Sequence, residues 1–517
     1  MIINILGKYV IDFIKGCVFM LYTSTRDNDV RVTASKAITD GISPDGGLYI
    51  PVEIPALSED ELKGLCSVDY KARAKNVLGL YLSDFTKEEL DYCVEGAYAD
   101  GKFSSKEVAP VVKLHDNVNI LELFKGPTCA FKDMALQILP YLLTVSAKKN
   151  LKDKEIVILV ATSGDTGKAA LEGFKDVEGT KILVFYPNDG VSPMQKLQMT
   201  TQEGNNVGVC AIYGNFDDAQ TGVKSIFTNK EILKRFEENN LVFSSANSIN
   251  WGRLAPQIVY YVSSYCDMVN SGAVKFGDKI NIVVPTGNFG NILAAYFAKE
   301  MGLPVNKLIC ASNANNVLTD FIENGVYDRN RDFYTTVSPS MDILISSNLE
   351  RLLYILCGRN SDTINEWFGA LKVCGKYTVS EDVKTKINEL FAAGCCDDEM
   401  TKATISETYS EYNYLADTHT AVAINVCNAY EDKTGDKTPV VIASTASPFK
   451  FSKAVLSAID KENKEYDDEF ATVAALEALS SLKAPEQLAA LKGKAVRFNK
   501  VTSKEEMAQV VFDMLGI

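Results

Sequence analysis

The sequence predicts an α/β protein in which two parallel-sheet units, each covered by helices, face one another across a cleft. The first observation is an alternation of short β-branched runs with longer helical patterns, which begins near Val111. The second is that these runs are continuously apolar, as expected for strands that are buried on both faces. The third is that a glycine-rich loop follows one strand of each series, at the carboxyl edge where α/β proteins usually bind ligands.

The predicted strands form two series along the chain. The first series comprises residues 155–161, 181–187 and 206–212, and the second comprises residues 279–285, 307–313 and 439–445. Between the last two strands, residues 330–417 are charged, helical and irregular, and we interpret them as an insertion or cap. The expected units are residues 111–275, residues 276–450 with this insertion, and a C-terminal helical segment over residues 451–517.

The segment before these units predicts an additional N-terminal domain. Residues 20–110 change from turn-rich to helical patterning. Residues 1–19 are apolar, but interspersed charges and the lack of a cleavage site argue against a signal peptide or a membrane span. We interpret them as a candidate miscalled extension with Met20 as the natural start, which N-terminal sequencing of the native protein tests.

Composition excludes several classes of function. With 53 Lys and Arg against 67 Asp and Glu, the formal net charge of −14 disfavours nucleic-acid binding. The 12 cysteines have no regular spacing, which indicates reduced thiols and a cytoplasmic protein. Only His115 and His419 are available as imidazoles, so we expect no metal site and no Ser-His-Asp triad. We also expect no membrane partner.

Lys132 lies in the stretch around which the chain is organised, between Phe131 and Met134. Apolar neighbours desolvate an ammonium group and depress its pKa, which turns a lysine into a nucleophile or base near neutral pH. The alternative is a lysine that lays its stem on apolar surface at the start of a helix. This window alone leaves both interpretations open.

The loop ATSGDTGKAAL, residues 161–171, follows the first strand of its series. Thr162, Ser163, Asp165 and Thr166 lie where a helix begins, and backbone N–H groups and hydroxyls there suit a carboxylate or a phosphate. Simple helix capping by Ser163, Asp165 or Thr166 is the alternative.

The loop PTGNFGNILAAYF, residues 285–297, repeats this arrangement in the second unit. Gly287 and Gly290 permit close approach of the backbone, and Asn288 and Asn291 add amide donors, so neutral dipoles could hold a phosphate. The loop lacks the lysine of a Walker loop and the full dinucleotide spacing, which argues against binding of NTP or NAD.

A third polar segment, SSANSINWGRL, spans residues 244–254. Asn247, Ser248 and Arg253 suit a second, more highly charged phosphate. Helix capping by Asn250, with the arginine on a solvated face, is the alternative.

One reactive lysine, a neutral phosphate cradle and a carboxylate cradle are together typical of a pyridoxal phosphate enzyme that acts on an amino acid. In order and spacing, this chain resembles the threonine synthases of the longer form, within the fold-type II pyridoxal phosphate family, from Tyr22 to about Phe451. The segments that carry the resemblance are LFKGPTCAFKDMALQ, ATSGDTGKAAL, ANSINWGRL, PTGNFGNILAAYFAK and STASPFKF.

The resemblance implies a fold of the tryptophan synthase β-like kind and a role for each matching residue. Lys132 would be the Schiff-base lysine, and Thr445 would contact the pyridine nitrogen. The other residues implied at the cofactor are Gly287, Asn288, Phe289, Gly290 and Asn291. Those implied at the substrate are Thr162, Ser163, Asp165 and Thr166 for its carboxylate, and Asn247, Ser248 and Arg253 for its phosphate.

Three positions depart from the pattern of the relatives. Asn291 stands where they often have Asp, which is compatible with phosphate because an amide can donate to it. Ser447 replaces a frequent His, so a proton relay at that position is in doubt. Asp165 replaces the Asn of shorter relatives, which leaves its protonation state open.

The implied reaction converts O-phospho-L-homoserine and water to L-threonine and phosphate, by γ-elimination followed by addition of water at Cβ. Two alternatives remain open: a lyase of the same fold that releases a 2-oxo acid, and a homologue that binds the cofactor without turnover. The expected assembly is a monomer or a homodimer.

Overall fold

The computed structural model describes residues 19–152, 154–189, 191–462, 464–466 and 468–517, so the expectation about residues 1–19 falls almost wholly outside the described chain. The strands are β1 (Leu21–Ser24), β2 (Val32–Thr33), β3 (Tyr49–Pro51), β4 (Val111–His115), β5 (Val118–Glu122), β6 (Glu155–Ala161), β7 (Thr180–Pro187), β8 (Val207–Ile212), β9 (Leu241–Ser244), β10 (Ile280–Pro285), β11 (Val305–Ser312), β12 (Val326–Asp328), β13 (Lys376–Thr378), β14 (Phe391–Cys395), β15 (Val440–Ser444) and β16 (Val501–Thr502).

The helices are α1 (Ala34–Asp40), α2 (Glu59–Leu65), α3 (Tyr70–Tyr81), α4 (Lys87–Ala97), α5 (Asp133–Leu136), α6 (Leu139–Asn150), α7 (Asp165–Phe174), α8 (Pro193–Thr200), α9 (Phe216–Thr228), α10 (Lys230–Glu238), α11 (Trp251–Asn270), α12 (Gly290–Glu300), α13 (Val317–Asn324), α14 (Leu349–Leu356), α15 (Ser361–Cys374), α16 (Glu381–Leu390), α17 (Asp398–Tyr412), α18 (Thr418–Thr434), α19 (Ser452–Ile459), α20 (Glu469–Ser480), α21 (Glu486–Ala489) and α22 (Met507–Leu515). Two 3₁₀ helices span Pro339–Met341 and Pro448–Phe451. Within the described residues, no helix has both the length and the apolar character needed to cross a membrane.

Two parallel sheets form the centre of the structure, and all six predicted strands are present in them. One sheet has the order β16-β8-β7-β6-β9 and is parallel throughout. The other has the order β14-β11-β10-β15-β5-β4, in which only the edge strand β4 is antiparallel. The strands between the edges are buried on both faces, because helices cover both sides. The predicted α/β class is confirmed.

The second sheet is assembled from distant parts of the chain. Its strands β4 and β5 precede residue 123, whereas β10, β11, β14 and β15 lie between residues 280 and 444. Strand β14 belongs to the region 330–417, which we expected to be an insertion or cap, and it hydrogen-bonds to β11 as the edge of the sheet. That region therefore completes the sheet, and the sheets do not follow the expected division at residue 275.

The C-terminal segment returns to the first sheet. Within this segment, Val501–Thr502 forms the short strand β16, which pairs with β8. Because Met507 and Val511 of α22 are buried in the cluster under this sheet, the last helix covers one of its faces. The described part of residues 451–517 thus contains four α-helices, joined by stretches without regular structure and by this short strand.

The N-terminal segment forms the antiparallel sheet β2-β1-β3 and four helices that pack on α11 and α6. Arg73 of α3 is buried and donates to Ser263 Oγ at 2.8 Å and to Asp267 Oδ1 at 2.6 Å, both on α11. A buried, charge-assisted contact of this kind fixes the angle between the two helices. The N-terminal domain is therefore anchored on the helix that begins near Arg253.

Trp251, the first residue of α11, is fully buried where the N-terminal segment meets the second sheet unit. Its ring makes edge contacts with Tyr22 and Phe297, with centroids 5.4 Å apart in each pair, and a tilted contact with Tyr81 at 5.4 Å. Aromatic pairs at this separation stabilise a core beyond their area of contact.

We expect Trp251→Ala to lower the free energy of unfolding by about 3–5 kcal/mol, because it opens a large cavity in a packed cluster. Val373→Ala is the control, since Val373 is 83% exposed and its loss should change stability by less than about 0.5 kcal/mol. Urea unfolding followed by far-UV circular dichroism measures both. Equal midpoints for the two variants would contradict the central role of Trp251.

Candidate active site

Lys132 lies just after strand β5, where an isolated bridge between Ala130 and Ala446 joins two loops at the carboxyl edge of the second sheet. Its side chain is only 11% exposed, and Nζ lies 3.6 Å from Asp165 Oδ2 and 3.4 Å from Ser340 Oγ. Burial lowers the pKa of Lys132, although the Asp165 carboxylate opposes the shift. The side chain is thus buried against polar groups, and the alternative of a lysine on the surface is not what the structure shows.

Asp165 begins helix α7 and lies between two lysines. Its Oδ1 accepts from Gln195 Nε2 at 2.9 Å and lies 2.7 Å from Nζ of Lys450, a residue that is fully buried. Burial alone would raise the pKa of Asp165, but the ammonium groups of Lys450 and Lys132 outweigh it and hold that pKa well below its usual range. The protonation state that the sequence left open is therefore the ionised one.

The rest of the loop before α7 is held by its own hydrogen bonds. Thr162 Oγ1 accepts from the N–H groups of Gly164 at 3.0 Å and Gly167 at 2.9 Å. Gly164 has φ +136°, and a Cβ there would lie 2.4 Å from the Gln195 side chain. Ser163 is half-buried beside it. The Thr162 hydroxyl thus shapes the loop, whereas the N-cap of α7 is Gly164 and no side chain caps the helix there.

The loop after β10 bends sharply where the sheet ends. Phe289 has φ +62° and is buried, and Asn288 O accepts from both Asn348 N and Asn348 Nδ2 at 3.1 Å. Asn291 Oδ1 accepts from the hydroxyl of Tyr260 at 2.7 Å and from that of Tyr261 at 2.5 Å. Its Nδ2 is buried and has no partner within the described residues. Asn291 Nδ2 is therefore a buried donor without an acceptor among the described residues.

Arg253, in the first turn of α11, is 3% exposed. Its Nη1 donates to Ala246 O at 2.5 Å, while Nε is buried without a partner, and no described carboxylate pairs with it. Burial lowers the pKa of Arg253 to about 10. The Arg253 charge also contributes to lowering the pKa of Lys132, so the two cations share one site.

The remaining predicted residues lie around these groups. Asn247 is half-buried and its N–H donates to Ser245 Oγ at 3.1 Å, while Ser248 Oγ lies 3.5 Å from Ser347 Oγ. Thr445 is buried, and its carbonyl accepts from Phe131 N at 2.8 Å, directly beside the lysine.

Asn250 is the N-cap of α11, as the capping alternative proposed, since its side chain accepts from Gly252 N at 2.8 Å. Arg253, by contrast, is buried, so it does not lie on the solvated helix face that this alternative paired with the cap.

The sequence interpretation missed several residues that complete the site. Lys450 carried the same signal as Lys132, a lysine among aromatic neighbours, here Phe449 and Phe451. Ser340 and Asn348 lie in the region interpreted as an insertion, and no sequence signal marks them. The backbone oxygen of Ser340 lies so close to Gly287 that a Cβ atom added to Gly287 would be 2.7 Å from it.

A second missed group consists of Asp417 and His419, which hold Ser340 in place. His419 Nε2 accepts from Ser340 N at 3.2 Å, and His419 Nδ1 lies 2.9 Å from Asp417 Oδ1. Because Nε2 accepts, Nδ1 carries the hydrogen that is donated to Asp417. His419 therefore has a positioning role in the segment beside Lys132.

Arg351 of α14 connects the two anion-binding segments. It is fully buried and donates to Asn348 Oδ1 at 2.5 Å and to Ile249 O at 2.6 Å. Asn348 holds the loop of Asn288, and Ile249 follows Ser248. No described carboxylate makes an ion pair with this guanidinium, although the charge of the neighbouring Glu350 opposes the lowering of the pKa of Arg351 by burial.

The donors described here fit pyridoxal phosphate, the cofactor that the resemblance implies. The unpartnered Nδ2 of Asn291 at the start of α12 is suited to a phosphate oxygen, and the buried amine of Lys132 is suited to an aldehyde. The described residues contain no group of three or more His, Cys, Asp or Glu side chains suited to a metal ion.

We expect Gly287→Ala to destabilise the chain even without cofactor, by about 1–3 kcal/mol, because its Cβ would meet the Ser340 backbone at 2.7 Å. Gly290→Ala is the matched control, since its Cβ would meet only the Asn348 side chain, at 3.4 Å. Thermal unfolding of both variants in the absence of cofactor separates the two cases. Equal stability of the two variants would show that the backbone at Ser340 shifts to accommodate the added Cβ atom.

Comparison with known proteins agrees with this geometry. Residues 21–98 match the family described as threonine synthase N terminus, residues 110–366 match the pyridoxal-phosphate dependent enzyme family, and residues 420–511 match threonine synthase, C-terminal. The crystal structure of a PLP-bound threonine synthase from Brucella melitensis superposes with a TM-score of 0.84 at 35% identity, over 96% of this chain and 99% of that chain.

Curated relatives extend the match. Human threonine synthase-like 1 is 41% identical over 446 residues, which are 84% of this chain but only 59% of the human protein. A threonine synthase of Pseudomonas aeruginosa is 39% identical over 441 residues, 84% of this chain and 90% of that protein. These matches confirm the fold and pyridoxal phosphate as the cofactor, and the chain belongs to the threonine synthase family of fold-type II pyridoxal phosphate enzymes.

Proposed function

We propose that this chain is a threonine synthase that converts O-phospho-L-homoserine and water to L-threonine and phosphate. The observation that carries the proposal is the buried Arg253, which has no described carboxylate partner and whose Nε makes no hydrogen bond to a described residue, in the first turn of α11. A buried cation is costly without an anion. A substrate that carries its own phosphate supplies that anion beside the reactive amine.

The substrate phosphate would be bound by Arg253 together with Asn247 and Ser248, which lie on the same segment. Arg253 Nε is suited to donate to a phosphate oxygen, and a guanidinium offers two parallel donors to such a group. The positive charge of Arg253 would also stabilise the phosphate as it leaves from Cγ. Arg253 would therefore contribute both to substrate binding and to departure of the phosphate.

The substrate carboxylate would bind at the start of α7. Ser163 and Thr166 are half-buried there and have hydroxyls to donate, and the N–H groups of the first turn favour an anion. The ionised side chain of Asp165 would repel a carboxylate, so we assign any substrate contact of Asp165 to its backbone N–H. Thr162 would act indirectly, by holding the loop.

Proton transfer would depend on Lys132. Pyridoxal phosphate, when bound, supplies the electron sink that stabilises negative charge on the substrate carbons. With the cofactor in place, Lys132 Nζ would take the proton from Cα and later return a proton to the product. Burial lowers the pKa of this amine, which favours its unprotonated, basic form.

We assign the remaining cofactor contacts to the residues that the resemblance implies. Gly287, Asn288, Phe289, Gly290 and Asn291 would surround the cofactor phosphate, and the Thr445 hydroxyl would face the pyridine nitrogen. The free thiols of the described cysteines support a cytoplasmic location, in line with a reducing compartment. The assembly would be a monomer or a homodimer, with no nucleic-acid partner.

We expect the purified chain with pyridoxal phosphate to release phosphate and threonine in equal amounts from O-phospho-L-homoserine. Arg253→Met should lower kcat/KM by about 30- to 5,000-fold, as expected for loss of about 2–5 kcal/mol from a buried charged contact. Lys234→Gln, which removes one positive charge from a side chain that is 78% exposed, is the matched control and should retain full activity.

Coupled phosphate release and chromatographic detection of threonine measure the outcome. Phosphate with a 2-oxo acid in place of threonine would establish the lyase alternative. Cofactor binding without turnover would establish the non-catalytic alternative.

A further inference from the structure

Lys450 is a fully buried charged group near the site and has no role in the reaction proposed above. It lies in the 3₁₀ helix Pro448–Phe451 and has no exposed surface. Its Nζ lies 2.7 Å from Asp165 Oδ1 and donates to Thr128 O at 2.9 Å. A buried ammonium is tolerated only where it is paired and hydrogen-bonded, so its position is set by Asp165.

Asp165 is shared unequally between two ammonium groups. Lys450 is 2.7 Å from Oδ1, whereas Lys132 is 3.6 Å from Oδ2. The Gln195 amide also donates to Asp165 Oδ1, at 2.9 Å, and so helps to fix this oxygen beside Lys450. The carboxylate is therefore committed mainly to Lys450 and only weakly to the reactive lysine.

We propose that Lys450 is a positioning residue, which occupies the Asp165 carboxylate and so keeps Lys132 from a tight ion pair that would hold it protonated. This inference rests on the proposed function, because it concerns the amine that must bond the cofactor. In that step the neutral Lys132 nitrogen bonds the aldehyde carbon, and the aldehyde oxygen leaves as water with the two amine protons. A protonated Lys132 has no lone pair for this bond.

The other charged groups around the pair do not replace Lys450. Arg253 is a further cation that faces Lys132 and disfavours its protonation. Asp133 is the nearest second carboxylate, but it accepts from Thr128 N and Oγ1, both at 2.8 Å. Cys129 faces Lys450, and burial raises the pKa of its thiol to about 12. Lys168 is bound to Glu172 at 2.9 Å.

The test measures covalent capture of pyridoxal phosphate by the full-length, cofactor-free chain as a function of pH. Borohydride fixes the bond, and mass spectrometry reports the fraction of Lys132 that carries the adduct. We expect Lys450→Met to move the midpoint of capture upward by about one pH unit, because Lys132 gains the full attraction of Asp165 and loses a repelling cation.

Three further variants make the result specific. Asp165→Asn should move the midpoint downward, because the attraction that favours protonation of Lys132 is lost. The double variant Asp165→Asn/Lys450→Met should lie at or below the wild-type midpoint. Lys450→Arg retains the charge and should leave the midpoint within about 0.3 unit of wild type, since a shift of that size is only about 0.4 kcal/mol.

An unchanged midpoint in Lys450→Met, with normal capture by the wild type, would overturn the inference and show that Lys450 has only a structural role. Absence of capture by the wild type itself would instead contradict the proposed function. If Lys450→Met does not fold, Lys450→Gln takes its place. The midpoint of capture should then move upward in Lys450→Gln and downward in Asp165→Asn. A downward or absent shift in Lys450→Gln would count against the inference.

Discussion

Burial of more positive than negative charge at one point of an acidic chain is the constraint on which the site depends. Lys132, Arg253, Arg351 and Lys450 are all buried or nearly so. Asp165 lies beside the two lysines, and the buried carboxylates of Asp133 and Glu350 lie near Lys450 and Arg351. Desolvation of each cation costs free energy that these three carboxylates do not fully offset, because Arg253 has no partner among the described carboxylates. The chain as a whole carries a formal charge of −14, so this excess is local. Such an arrangement is stable when anionic ligands complete it, which a phosphate-bearing cofactor and a phosphate-bearing substrate both do.

The fold maintains this excess by tying the site to rigid elements on every side. Helix α11 carries Arg253 in its first turn, and Asp267 near its other end pairs with Arg73 of the N-terminal segment. Arg351 joins the loop of Asn348 to the segment of Ile249 through hydrogen bonds of 2.5 and 2.6 Å. Cations held in this way cannot move apart to relieve their repulsion, so the site stays organised for anions before they bind.

Much of the fold and part of the site could be predicted from the sequence. The six apolar runs were identified as strands because burial on both faces leaves a continuous pattern. Lys132 was singled out because apolar residues flank it, and its role was assigned from the resemblance to a known family, since its own segment left two interpretations open. Lys450 had the same signal and was overlooked, whereas Arg351 and Ser340 had none, because their roles come from contacts across more than one hundred residues. The place of β14 in the second sheet was missed because FAAGC is too short and too small in its side chains to be recognised as a strand.

The loss of an imidazole at position 447 can now be interpreted physically. Ser447 caps the 3₁₀ helix of Lys450, since its Oγ accepts from Phe449 N at 3.4 Å, so the residue has become part of the support for that lysine. His419 is an imidazole on the other side, but Nε2 accepts from Ser340 N and Nδ1 is engaged by Asp417. Both of its nitrogens are therefore occupied by positioning contacts, and neither is available to carry a proton to the substrate. In the proposed reaction the movement of protons then falls to Lys132, which is why the pairing of Asp165 with Lys450 would bear directly on that chemistry.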